Sequence, residues 1–466
     1  MLTRLEVDGF KNLLDFAVEF GPFTCIAGPN AIGKSNVFDA IQFLSLLADK
    51  SFVEAAAELR TPGTPAADLS SLFWAGAYDG ARMRFAAEFI VDQRVQDDFG
   101  RDAEPTATFL RYVLVLEYVA PSESTASGER IRLIEEELTY ITQRDAPQRL
   151  RWDNSKAAFR DRVLMNRRRG PAYISTTVGE DGTVIINVHQ DGGSRGQTRK
   201  SAANRAPRTV VSTTATSDDP TVLAARREMQ NWRILALEPS ALRRPDGLTE
   251  PDVVTETGMH MPAALRRIIA TQGSDALAAV TATAAALTDV RSVAVDVDPQ
   301  RQTLTLRASV RSGPHLPARN LSDGTLRFLA LSIIANDPDY TGLVCMEEPE
   351  NGIHPARVEV MADLVRNIAV DPSESPGRDN PMRQVIVNTH SPRFVRAQRA
   401  ADLLFAEHAT VIRDGRQAST MRLLPLKGTW RDTGMRAVLT QRDIQVFLET
   451  SDDTQLVLDL LPQKAG

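Results

Sequence analysis

The chain has 466 residues, of which 42% are hydrophobic and 24% charged, with 27 glycines and 26 prolines. That composition excludes a collagen-like or mainly disordered chain, and the length allows one large core with insertions or two to three domains. Lys+Arg of 54 against Asp+Glu of 60 leaves a net charge of −6, which excludes a globally basic nucleic-acid binder but not a local basic patch.

Two cysteines, Cys25 and Cys345, make neither a disulfide framework nor a four-ligand zinc site, and the histidines at 189, 260, 315, 354, 390 and 408 are scattered. This usage predicts a reducing, cytoplasmic setting. The start carries charge at Arg4, Glu6 and Asp8 and has no apolar run, so no signal peptide is expected. The longest uncharged helical stretch, Ala276 to Thr288, is too short to span a bilayer, so no membrane partner is expected.

Residues 2–8 alternate like a half-buried strand, and 14–20 resume that character. Phe23 to Ala27 is a short apolar run of strand formers that ends at Gly28, and Val37, Ile41, Leu44 and Leu47 then fall at helical spacing. Strands follow over 82–92, 110–119 and 131–142, with a loop over 120–130. The signal weakens from 150 to 230. Within it, residues 192–217 hold Arg195, Arg199, Lys200, Arg205 and Arg208 and no acid, which reads as a flexible basic loop. Residues 262–289 are helical and Ala-rich, 290–297 and 302–310 are strands about a turn at Asp298–Gln300, and a helix follows Ser322-Asp323-Gly324. Leu343–Met346 is a fully apolar strand ending in Glu347-Glu348, 355–369 is helical, and Val385–Val387 is a second buried strand ending in Asn388-Thr389-His390. Apolar strands alternating with helices predict an α/β fold with a mainly parallel sheet.

Gly28-Pro29-Asn30-Ala31-Ile32-Gly33-Lys34-Ser35 fits the phosphate-loop pattern G-x-x-x-x-G-K-[ST], with a strand before it and a helix after. The glycines permit close backbone approach, so that successive N–H groups cradle phosphate oxygens; Lys34 reaches the outer phosphates and Ser35 ligates Mg²⁺. Glu347 and Glu348 arrive at a strand end where such a site needs carboxylates, Glu347 toward Mg²⁺ and Glu348 toward the attacking water. Ser322-Asp323-Gly324 opens a helix whose N–H groups suit an anion; taken alone it is better read as a plain helix cap. His390 follows a buried strand, where a lone histidine is usually structural, and it gains a functional reading only beside the other motifs.

The set and order of these motifs resemble the ABC-type ATPase heads of the SMC/RecF class. Gly28–Ser35, continued by Asn36, looks like Walker A; Leu321–Thr325 looks like the signature; Leu343–Glu348 looks like Walker B; and His390 matches the switch histidine. Phe10-Lys11-Asn12 resembles the N-terminal hairpin that lies near the nucleotide, which makes Lys11 and Asn12 candidate nucleotide contacts. The look is nearest to stand-alone ATPases allied to the OLD family and to ATPase subunits of anti-phage systems such as Septu. Three features depart from the pattern: Glu347 stands where Walker B has Asp, Asp323 stands where Gly is commoner, and the only candidates for a Q-loop glutamine are Gln93 and Gln143.

The resemblance implies a P-loop NTPase of ABC-head type. It would consist of an N-terminal lobe over 1–149, a compact α/β insertion over 150–300 in place of a long coiled coil, and a C-terminal lobe over 301–466. It implies ATP and Mg²⁺ as cofactors, an ATP-dependent homodimer or higher oligomer, and a separate effector such as a nuclease, in anti-phage defence or DNA repair. No nuclease centre is legible in the chain itself, since Asp452-Asp453 is the sole acidic pair near its end. Two other readings stand beside this one: a RecF-like repair ATPase acting without an effector, and a nucleotide-sensing scaffold of very low turnover. Duplex DNA is a candidate partner of the basic residues 192–217, against the plainer reading of a solvated loop.

Overall fold

The computed structural model describes residues 1–60, 69–74, 78–121, 128–167, 170, 172–191, 198–413, 415–434, 437–440 and 442–443. Arg168, Arg169, Arg195 and the Asp452-Asp453 pair lie outside the described residues.

The apolar strands at 23–27, 342–347 and 383–389 are neighbours in one sheet. Its order is Trp232–Leu235, Gly342–Glu347, Arg383–Thr389, Phe23–Ala27, Leu403–Arg413 and Arg416–Pro425. The first five run parallel, and the last closes the sheet as an antiparallel hairpin. Because side chains alternate across a strand, each apolar run feeds two cores. Ile26, Leu343, Cys345 and Ile386 point into one, with the helix Lys34–Leu47 and an antiparallel sheet. Cys25, Ala27, Val344, Met346, Val385 and Val387 point into the other, with the helices Asp323–Ala335 and Val358–Ile368. This double burial is why those strands read as continuous hydrophobic runs rather than as alternation.

The antiparallel sheet is ordered Arg199–Ala202, Val184–Val188, Ile174–Val178, Arg130–Tyr140, Phe109–Val119, Arg82–Ile90, Leu2–Asp8 and Phe16–Glu19. Leu2, Leu5 and Val7 face the core, while Arg4 and Glu6 lie on the partly exposed face. There Glu6 takes Arg111 Nη2 at 2.8 Å and Arg4 Nε at 2.8 Å. Among the described residues no helix exceeds 14 residues, which excludes long coiled-coil arms in these segments, and none is long and apolar enough to cross a membrane.

The expected compact insertion over 150–300 is not one body. The strands within 174–202 lengthen the antiparallel sheet, Trp232–Leu235 supplies the edge of the parallel sheet, and the helices Met261–Gln272 and Ser274–Leu287 pack in the second core. Sheet edges carry unpaired backbone groups, so short strands from a weakly patterned stretch complete them. The basic stretch 192–217 is likewise not a loop throughout. Arg199–Ala202 is an edge strand, with Arg199 paired to Asp219. Thr209 and Val211 are buried, with Thr209 Oγ1 donating to Leu47 O at 2.9 Å and Val211 N to the buried Glu136 carboxylate at 2.9 Å.

Candidate nucleotide-binding site

The carboxyl ends of the parallel strands collect the motif residues along one edge of the sheet. Phe23–Ala27 delivers the loop 28–33, Gly342–Glu347 delivers Glu347 and Glu348, and Arg383–Thr389 delivers His390. Crevices outside the carboxyl ends of parallel strands are where open α/β sheets bind ligands.

The loop is built for close approach. Gly28 has φ 153°, and a Cβ there would stand 3.0 Å from Ala406 Cβ; its N–H donates to Thr389 O at 3.3 Å. Ala31 has φ 62° and Gly33 φ 101°, and Pro29, Asn30 and Ala31 are exposed. Gly33 is the N-cap of the 14-residue helix Lys34–Leu47 and provides no side-chain cap; Asn36 N donates to Gly33 O at 3.0 Å, while the N–H groups of Lys34 and Ser35 are left to an acceptor. Lys34 is 7% exposed and donates to Gly28 O and Pro29 O, both at 2.7 Å. Burial pushes its ammonium below the usual lysine range, while Glu348, Glu347 and Glu350 pull it back up. Ser35 is exposed at the mouth.

Asn12 reaches this loop and Lys11 the helix behind it, and both are engaged with protein groups. Lys11, at φ 48°, pairs with Asp39, one turn along the helix from Ser35. Asn12 Nδ2 donates to Ile32 O at 3.3 Å, and its Oδ1 accepts from Asn36 Nδ2 at 2.7 Å. Asn12 thus braces the loop, and Asn36 is the brace's other end.

On the carboxylate side, Glu347 is exposed and its Oε1 accepts from Asn388 Nδ2 at 3.1 Å. Glu348 sits at φ 45° with its N–H donating to Asn388 O at 2.9 Å, and its Oε1 lies 2.6 Å from His390 Nδ1. Glu350 is buried, and Thr389 Oγ1 donates to its Oε1. Glu348, Glu350, Asn351, His390 and Arg393 line a cavity of about 800 Å³.

Ser322 caps the helix Asp323–Ala335, its Oγ accepting from Thr325 N at 3.3 Å. Asp323 pairs with Arg243, which also donates to Leu321 O at 3.2 Å, and a Cβ at Gly324 would meet nothing within 4 Å. None of their hydrogen bonds reaches residues 28–36 of the phosphate loop. Arg327 of the same helix donates to Asn351 O at 2.9 Å and ties it to the turn after Glu348. Neither candidate glutamine lies at this edge: Gln93 donates to Arg162 O, and Gln143 to Leu164 O at 2.9 Å. Arg243 and Asp39 carry no signal in the sequence, while Asn388 and Glu350 stand out there only by adjacency to the strand ends and the D-loop-like turn, with no role assigned.

A family model described as "AAA domain, putative AbiEii toxin, Type IV TA system" matches residues 285–396, the stretch that holds Ser322, Glu347, Glu348 and His390 but not the phosphate loop. No curated protein matches the chain. Among solved structures, the chain is similar to a Smc head bound to the C-winged helix domain of ScpA (16% identity, TM-score 0.43, covering 91% of this chain and 98% of that one). It is also similar to the Smc head domain with an extended coiled coil bound to the C-terminal domain of ScpA from Pyrococcus furiosus (12% identity, TM-score 0.41, 91% and 96%). A third is the SMC head domain from Thermotoga maritima (11% identity, TM-score 0.35, 91% and 99%).

Proposed function

We propose that this chain is an ATP-binding and ATP-hydrolysing head of ABC type. The observation that carries the reading is the uncapped helix start behind Gly33 and Lys34, set beside the Glu348–His390 pair on one sheet edge. A triphosphate is the anion that the open N–H groups call for, and Lys34 leaves its two backbone carbonyls for the outer phosphates when one arrives. The exposed Ser35 hydroxyl and Glu347 carboxylate are oxygen donors that suit Mg²⁺, with the longer arm of Glu347 acting where the resembling heads have Asp. When bound, that ion neutralises phosphate charge.

Glu348 accepts the proton of the attacking water as the water oxygen bonds to the γ-phosphorus and the bond to the ADP oxygen breaks. His390, 2.6 Å from Glu348, orients that carboxylate. Lys11, Asn12 and Asn36 brace the loop around the nucleotide. Ser322, Asp323 and Gly324 cap the γ-phosphate held by a second copy, because in one chain none of their hydrogen bonds reaches the loop; ATP thereby drives a homodimer. The wider role, control of a separate effector such as a nuclease in cytoplasmic anti-phage defence or repair, rests on the family resemblance, and the matching family's description as a toxin-system protein agrees in kind.

The test is a pair of variants in ATP-binding titrations and multiple-turnover hydrolysis assays, with and without duplex DNA. Lys34→Ala loses tight ATP binding, and Glu348→Gln keeps binding and loses turnover. Hydrolysis at the wild-type rate in both would remove the ATPase reading.

A further inference from the structure

Glu350 is the one carboxylate of this edge that the hydrolytic reading leaves without work. It lies in the turn after Glu348 and is only 9% exposed. One oxygen accepts from Thr389 Oγ1, and the other, Oε2, is buried with no hydrogen-bond partner. Burial pushes its carboxyl above the usual range, the Thr389 bond opposes that, and the nearby Glu348 pushes it further up. A buried carboxylate beside two others is costly, and a packing role would be better served by an apolar side chain of similar volume. What Glu350 gains in return, besides a contact with its own backbone N–H, is the bond from Thr389, and that partner is well placed.

Thr389 is a junction. Its backbone carbonyl accepts from Gly28 N at 3.3 Å, at the start of the phosphate loop. Its hydroxyl donates to Glu350 and accepts from Ser391 N at 2.9 Å. The residue between those two anchors is His390, whose Nδ1 stands 2.6 Å from Glu348 Oε1. Releasing the Thr389 hydroxyl from Glu350 would free the turn 389–391 to rotate, and a rotation there moves the imidazole while leaving the loop's grip on phosphate unchanged.

We propose that Glu350 is a positioning residue of the hydrolytic site, acting through the Thr389 hydroxyl to hold His390 against Glu348. This rests on the reading of Glu348 as the base. Misplacing a group near the reaction by about 1 Å costs on the order of a hundredfold in rate. In the full chain we therefore expect Glu350→Ala to lower kcat by about 10- to 100-fold with the KM for ATP and the nucleotide affinity unchanged. Glu350→Gln, whose amide oxygen still accepts from Thr389, should stay within about threefold of wild type, since it keeps the bond that sets the geometry. Thr389→Val should reproduce the loss, Thr389→Ser should restore most of the rate, and Glu350→Ala combined with Thr389→Val should be no worse than either alone.

The proposal is overturned by a wild-type kcat in Glu350→Ala, by a loss carried in nucleotide affinity, by Glu350→Gln being as impaired as Ala, or by additive losses in the double variant. If Glu350→Ala does not fold, Glu350→Gln, Thr389→Val and Thr389→Ser decide the matter alone. Glu348→Gln run alongside reports on the base reading separately: undiminished hydrolysis there would remove the base and with it the reason for holding His390, whatever the Glu350 variants do.

Discussion

A single methyl group at position 33 tests the phosphate loop at its tightest point. Gly33 has φ 101°, where an L-residue is strained by about 1–2 kcal/mol. A Cβ there would also stand 2.9 Å from Asn12 Cγ and 3.0 Å from its Oδ1, so the Asn12 amide must leave. Its departure breaks the 2.7 Å bond from Asn36 Nδ2 and the 3.3 Å bond to Ile32 O. At about 0.5–1.5 kcal/mol for each hydrogen bond, of which the longer is the weaker, strain and lost bonds together come to about 2–4 kcal/mol. Charged against the phosphate-binding conformation, at about 1.4 kcal/mol per tenfold, that predicts an ATP affinity weaker by about 30- to 700-fold in Gly33→Ala. The assay is calorimetric titration of ATP–Mg²⁺ into wild type, Gly33→Ala, Asn12→Gly and the double variant. Asn12→Gly alone should lose only the two bonds. The double variant should bind no more weakly than Gly33→Ala alone, because the same two bonds are already lost there and the strain is unchanged, so the two changes will not add. Wild-type affinity in a folded Gly33→Ala protein, or strict additivity, would refute the reasoning that Asn12 braces a loop needing this backbone.

Two further outcomes follow from other parts of the molecule. In sedimentation, ATP–Mg²⁺ should drive association of Glu348→Gln protein, and Ser322→Arg should block both association and hydrolysis while still binding nucleotide; full hydrolysis in Ser322→Arg would leave 321–325 a helix cap and nothing more. Burial raises the Glu6 carboxyl, but hydrogen bonds from Arg111 and Arg4 outweigh it and bring the group down to about 2 from 4.5. Its contribution to stability should therefore be complete above about pH 4.5 and fade as pH falls toward 2, so the stability gap between wild type and Glu6→Gln in denaturant titrations should close over that window; a gap constant with pH would contradict the ion-pair account.

The local elements were legible in the sequence wherever one short stretch carried its own signal. Phe23–Ala27 and Lys34–Leu47 stand where the apolar run and the helical spacing put them, and so do the strands that end at Glu347 and Thr389. Phosphate-loop geometry is equally local, because Gly28, Gly33 and Lys34 act within a few residues of one another. The strand Trp232–Leu235 and the hairpin Leu403–Pro425 were not read, since a four-residue edge strand and a half-exposed hairpin lack a period long enough to stand out. Residues 192–217 read as a flexible basic loop because composition reports charge, whereas Glu136 and Leu47, far away in the chain, hold Val211 and Thr209 in the core.

By itself, the sequence determined that a strand–loop–helix unit of phosphate-loop pattern stands here, and that two carboxylates and a histidine each follow a buried strand. Tertiary structure alone decided that these meet. Parallel pairing sets Glu347 opposite Asn388 and Thr389 opposite Ala27, and so brings His390 to Glu348 across 42 residues of chain and Glu350 to Thr389 across 39. The reason is physical. Periodicity records which face of one element is buried, but which strand lies beside which is settled by non-local packing, where burial of both sheet faces and completion of every backbone ladder leave one order of strands.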